Sequence, residues 1–199
     1  RARESQTPAS STSSATSQIA SKTTQTKPVI FIGLDGADWS LLDQYTSRGE
    51  MPTLARLAGE GASGTLKTIH PPLSPLIWTT MMTGTSPLEH RILDFLRVNP
   101  VSQQREPITS DERKVPAIWN MATAGGKKVG ALGFWATYPA ESVNGLMVSD
   151  RLFTFLFSES APPPGVVYPA SLESWARDGL KRAQTEVGYD EIKAILPWL

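Results

Sequence analysis

The sequence predicts an α/β fold with a mostly parallel sheet flanked by helices. Three observations lead there. Val29-Ile-Phe-Ile-Gly-Leu34 is a short, continuous, β-rich apolar run, the pattern of a strand covered on both faces. Runs of this kind alternate with segments whose apolar residues recur at helical spacing, the element order that builds parallel sheets. Hydrophobic residues make up 40% of the 199 residues, enough for a core. No apolar window reaches the roughly 18 residues that a membrane-spanning helix needs.

Taken in order, residues 1–27 are close to half Ser and Thr, with Ile19 their one large aliphatic residue. Such a segment buries too little apolar surface to offset its ordering entropy, so it is expected to be a disordered tail or linker. A tether left behind a removed signal or anchor would place the protein in the periplasm or outside the cell; a cytoplasmic tail is the other reading. The organised domain is expected over 28–199, opening with the strand at 29–34. A helix over 39–47 stops at Gly49. A second has Pro52 in its first turn, Leu54, Leu57 and Ala58 on one face, and Gly59 or Gly61 at its end. Residues 62–69 fit a strand. In Pro71-Pro-Leu-Ser-Pro-Leu-Ile-Trp-Thr-Thr-Met-Met-Thr-Gly84, Ser74 suits the N-cap, Pro75 the first helical position and Gly84 the stop.

Further on, a helix is expected over 116–124, ended by Gly125-Gly126, with strands over 128–134 and 145–149. Leu172, Trp175 and Ala176 mark another helix, and 189–196 a last one. Phe153-Thr-Phe-Leu-Phe157 reads as core or as a docking surface. The chain starts at Arg1 rather than Met and stops in Lys193-Ala-Ile-Leu-Pro-Trp-Leu199, so both ends are expected to be cut.

Composition narrows the function. Nineteen Lys and Arg balance nineteen Asp and Glu, which removes the electrostatic case for a nucleic-acid polymer or an anionic membrane as partner. There is no cysteine, hence no disulfide framework, thiolate zinc finger or cysteine nucleophile. Two histidines, His70 and His90, are few for a histidine-rich metal site.

The chemistry-bearing candidates are Asp35 and Ser74. Asp35 follows the predicted first strand directly, where open α/β sheets place their ligands. Ser74 begins a helix, whose partial positive end favours an anion by about 0.3–1 kcal/mol when exposed and up to about 2 when partly buried. A serine hydroxyl needs a base or a metal to become nucleophilic, and neither histidine stands at a triad spacing. Metal coordination is the more economical route, with the Asp35 carboxylate as an oxygen ligand. The plain alternative stays open: Asp35-Gly36 makes a turn and Ser74 caps a helix. Asp38 suits the cap of the helix at Trp39. Arg113 and Lys114 read as solvated charge, Asp150 and Arg151 as a local ion pair, and Trp135, Tyr138 and Glu141 as loop packing or pocket border.

Gly33-Leu-Asp-Gly-Ala-Asp-Trp39, Met51-Pro-Thr-Leu-Ala-Arg-Leu57 and the segment 71–84 together resemble the N-terminal portion of the alkaline phosphatase superfamily, in its type I phosphodiesterase/nucleotide pyrophosphatase branch. Gly133-Phe-Trp-Ala-Thr-Tyr-Pro-Ala-Glu-Ser-Val-Asn-Gly-Leu-Met-Val-Ser-Asp-Arg151 resembles a later block of bacterial members. The resemblance implies an alkaline-phosphatase-like α/β domain, incomplete at the C-terminus. It also implies hydrolysis of small phosphate esters, phosphodiester or nucleotide-like, through a covalent phospho-enzyme with two divalent metals, zinc in the family. Asp35 falls on a metal-binding aspartate, and Ser74 on the nucleophile that also contacts metal. The family's other metal ligands follow the matched region, so the chain alone is expected to be inactive. An Asn that helps hold the phosphoryl oxygens in nucleotide pyrophosphatases corresponds here to Ile77. His90, followed by Arg91 where a Gly is usual, is expected to be structural. Two other outcomes share the scaffold: a non-catalytic anion- or partner-binding protein, and a transferase of phospho-headgroups.

Overall fold

The computed structural model describes residues 27–154 and 162–186, with residues 188 and 193. The chain divides into two compact units, Arg1–Ala37 and Asp38–Leu199. Apart from residue 193, the expected helix at 189–196 lies outside the described residues, as does most of the 153–157 aromatic run.

In the first unit, residues 27–37 contain a turn at Asp35-Gly36 and no helix or strand. Gly36 has φ +68°, a left-handed conformation that glycine adopts without steric cost. The expected buried strand at 29–34 is not there. Val29, Ile30 and Ile32 are 95%, 78% and 75% exposed. A continuous apolar run signals cover on both faces, and among the described residues this unit holds no sheet that could supply it.

The second unit carries the regular structure. Helix α1, Trp39–Ser47, is capped by Asp38, whose carboxylate accepts the Ser40 N–H at 2.8 Å and the Ser40 hydroxyl. Helix α2, Pro52–Glu60, has its proline in the first turn and stops at Gly61, whose N–H bonds the Leu57 carbonyl. Residues 62–69 form no strand. Helix α3, Ser74–Thr83, ends at Gly84 with φ +68°, a left-handed C-cap. The four-residue helix α4, Pro87–His90, follows after Glu89 reaches back to the Ser86 N–H and hydroxyl at 2.9 and 2.7 Å.

Strands β1, Leu96–Val98, and β2, Arg105–Pro107, form an antiparallel ribbon that no local pattern had marked. Helix α5, Ile118–Ala124, begins two residues later than expected, because Asn120 folds back so that its Oδ1 accepts the Ala117 N–H at 2.8 Å. Strands β3, Val129–Leu132, and β4, Gly145–Val148, come next, then helix α6, Arg151–Thr154, strand β5, Val167–Tyr168, and helix α7, Glu173–Glu186.

The sheet order is β3-β4-β5. Strands β3 and β4 are parallel, from Val129↔Gly145 to Leu132↔Val148, while β4 and β5 are antiparallel. The fold is therefore α/β in content, but its sheets are mixed, and the mostly parallel sheet is corrected. Two of the runs expected to supply parallel strands, 29–34 and 62–69, contribute none, and a two-residue strand that returns antiparallel takes the other edge of β4.

Around this sheet, Met147, Ala131, Val143, Trp119, Ala117 and Met82 form one buried cluster. Val148, Leu152, Val166, Val167 and Ala176 form a second on the α7 side. Each large side chain among them contributes about 1.5–3 kcal/mol by leaving water. Met82 matters most for function, because through it the first cluster holds α3.

Candidate functional site

Helix α3 is anchored on several sides. Pro75, Leu76, Thr79, Met82 and Thr83 are buried, so the helix is inserted into the unit rather than laid on its surface. Trp78 meets the edge of Phe134 with ring centroids 6.0 Å apart, and Phe134 lies 5.8 Å from Trp119 of α5. Ser74 is the first helical residue and is half-buried. The N-cap is Leu73, one residue earlier than the sequence suggests, and the cap makes no side-chain hydrogen bond. The Ile77 N–H bonds the Leu73 carbonyl at 3.0 Å, closing the first turn. Ser74 thus stands at the amide end of a helix, where the partial positive charge of the dipole lies.

Asp35 occupies the exposed turn of the first unit, and Ser74 lies in the second. Among the described residues, no group of three or more His, Cys, Asp or Glu side chains could hold a metal ion. A zinc ion takes about four donors, so the donors described here do not by themselves fit the two-metal centre that the resemblance implies.

His90 is fully buried. Its Nδ1 accepts the Ile92 N–H at 3.1 Å, and its Nε2 lies 2.9 Å from Thr80 Oγ1 on α3. Burial, reinforced by the positive charge of Arg113, holds its pKa below the ordinary histidine value, against a weaker opposing pull from Glu89. It is not a metal ligand in this arrangement, since both ring nitrogens are engaged.

A polar cluster lies beside the Trp119 cluster. Glu141 accepts Arg113 Nη2 at 2.6 Å and Asn120 Nδ2 at 2.8 Å on one oxygen, and Trp119 Nε1 at 3.0 Å on the other. Arg113 also donates to the Val115 carbonyl and to Asn120 Oδ1, and its guanidinium lies over the Trp119 ring. Burial pushes the Glu141 carboxyl up, but the Arg113 hydrogen bond and charge, with Asn120 and Trp119, outweigh it and hold the pKa below the usual carboxylate range. Arg113 is a buried structural cation, not the solvated charge the sequence suggested: its side chain is 6% exposed. No local signal could have found this cluster, because Glu141 lies 21 to 28 residues from its partners.

Asp150 is buried. It accepts the Ala136 and Thr137 N–H groups, both at 3.2 Å, and burial raises its pKa. Arg151 lies over the Tyr138 ring and donates to the Ile108 carbonyl. Asp150 therefore shapes the loop after β3, a role beyond the local ion pair expected.

A family model described as type I phosphodiesterase / nucleotide pyrophosphatase matches residues 29–189. The chain belongs to this family. Its type I phosphodiesterase/nucleotide pyrophosphatase match takes in both Asp35 and Ser74 and confirms the resemblance drawn from the motifs. The family is one of hydrolases that act on small phosphate esters and are generally metal-dependent. No curated protein and no solved structure matches the chain significantly. Among the described residues no helix is long and apolar enough to cross a membrane.

Proposed function

We propose that this chain supplies the nucleophile of a phosphate-ester hydrolase, with phosphodiester or nucleotide-like substrates, and that Ser74 is the attacking residue. The observation that carries this reading is the position of Ser74 as first residue of α3, a helix packed on several sides whose capping is left to Leu73. The amide end of a helix favours a phosphoryl group, and a rigid helix fixes the hydroxyl in place. In the reaction, Ser74 Oγ bonds to phosphorus as the ester P–O bond breaks. The departing alkoxide takes up a proton, balancing the one that the Ser74 hydroxyl loses, and water then cleaves the seryl phosphodiester to restore the serine and release a phosphate monoester.

Asp35 and Ser74 are the proposed metal donors, and two divalent ions, zinc in the family, would stabilise developing charge on the ester oxygens. The described residues do not complete such a centre, so no step is derived through it. On this reading residues 28–199 are the hydrolase portion and residues 1–27 a Ser/Thr-rich tail or linker.

The test is turnover of bis(p-nitrophenyl) phosphate by the intact protein with added zinc, alongside mass spectrometry of acid-quenched enzyme. A p-nitrophenyl phosphoryl adduct on residue 74 is expected, and Ser74→Ala should lose both adduct and turnover. Undiminished turnover in Ser74→Ala would overturn the assignment. Binding of phosphate without turnover would favour the non-catalytic protein, and transfer to an added alcohol would favour the transferase.

A further inference from the structure

We infer that His90 is a positioning residue for the helix that carries Ser74: the neutral ring ties Thr80 of α3 to the backbone leaving α4, and protonating the ring unties them. The consequence for turnover rests on the reading of Ser74 given above; the tie itself does not.

The hydrogen bonds fix the direction of the link. Because Nδ1 accepts the Ile92 N–H, the proton of the neutral ring sits on Nε2, which donates to Thr80 Oγ1. The Thr80 hydroxyl then donates to the Leu76 carbonyl at 2.9 Å. The chain of bonds runs from Ile92 through His90 and Thr80 to Leu76, two residues from Ser74. Thr80 and Ser74 are six helical residues apart, about 9 Å along the axis. A second proton on the ring would point at the Ile92 N–H, donor against donor, and would break the bond that orients the imidazole.

Charged groups around the ring oppose that proton on balance. Arg113, from the segment ahead of α5, repels it. Glu89, on His90's own helix, attracts it, but that carboxylate is exposed and engaged by Ser86. The Lys114 N–H donates to the His90 carbonyl at 3.2 Å, while its side chain is exposed. The groups that meet the ring nitrogens, Thr80 and Ile92, are neutral. The ring is thus held neutral through physiological pH, and α3 is released only on acidification.

The chain's two histidines make the test direct. Ring titration by NMR, assigned with a His70→Gln variant, should show His90 as the Nε2–H tautomer, titrating below the ordinary histidine value. Amide exchange in the first two turns of α3, corrected for intrinsic rates, should rise about tenfold or more across the His90 transition. Thr80→Val should show the faster exchange at every pH, and Thr80→Ser should restore wild-type behaviour. His90→Gln, which keeps a donor toward Thr80 and cannot titrate, should abolish the pH step. In the intact protein, the acid limb of kcat/KM should coincide with the His90 transition. Exchange in α3 that ignores the state of His90, or a pH step retained in His90→Gln, would overturn the inference. An exchange step without any turnover would sustain the tie and count against the reading of Ser74 instead.

Discussion

Replacing Glu141 by Gln tests the logic of the polar cluster most sharply. The carboxylate receives three N–H donors on two oxygens: Trp119 Nε1 on one, Arg113 Nη2 and Asn120 Nδ2 on the other. A glutamine of the same shape keeps one oxygen and turns an NH₂ toward the remaining donors. It also leaves the Arg113 cation, 6% exposed, without its counter-charge. Breaking a buried pair by removing one partner costs about 3–5 kcal/mol. Glu141 is 22% exposed, which places the expected loss near the low end, about 3 kcal/mol. Urea denaturation followed by tryptophan fluorescence measures it, with Trp119 as an internal reporter. The pH dependence supplies a second check with a definite sign. The folded pKa of Glu141 is depressed, so its contribution is present above the unfolded value and is lost as pH falls through the folded one. The gap between wild type and Glu141→Gln should therefore be full at neutral pH and shrink in acid. A loss under about 0.5 kcal/mol at pH 7 would mean that solvent already screens the pair as it does at a surface, and a gap that does not change with pH would refute the ionic argument.

Other predictions concern the backbone. A Cβ on Gly145, at φ +152°, would lie 2.0 Å from the Val129 carbonyl oxygen and 3.0 Å from its carbon. Gly145→Ala should therefore pry β3 from β4 and cost about 3 kcal/mol or more by denaturation; a cost below about 1 kcal/mol would show the pairing to be looser than the register indicates. Arg91 sits at the C-cap of α4 with φ +68° and is exposed. A left-handed residue with a side chain costs about 1–2 kcal/mol, against about 0.5–1 for the entropy of glycine. Arg91→Gly should accordingly raise stability by about 0.5–1 kcal/mol, and a fall would mean that the Arg91 side chain holds something of its own.

What the sequence made legible was local. The caps and stops of α1, α2 and α3 rest on residues within one turn of each end, and the structure differs there by a single position at Ser74. The apolar run at 29–34 failed differently. A helix end is satisfied by its own neighbours, whereas a strand exists only with a partner, and apolarity reports the need for cover without saying what provides it. The ribbon of β1 and β2 escaped notice because its strands are three residues long, too short for alternation to stand out in β1, while β2 reads Arg105-Glu106-Pro107 with no apolar alternation at all.

The same distinction bears on the candidate site. Ser74 could be found from its surroundings in sequence, because a serine and a proline before an apolar helix form a local pattern. What holds its helix could not. The edge contact of Trp78 with Phe134 joins residues 56 positions apart by their numbering, and Phe134 in turn meets Trp119, whose indole nitrogen is held by Glu141. His90 reaches the same helix from the other side through Thr80, and its charge state answers to Arg113, the partner of Glu141. The nucleophile candidate is a one-residue signal, while its rigidity is shared among groups from five separate segments. Substitutions at Arg113, Glu141 or Phe134 should therefore disturb α3 without touching Ser74, and a scan confined to residues near Ser74 in sequence would miss them.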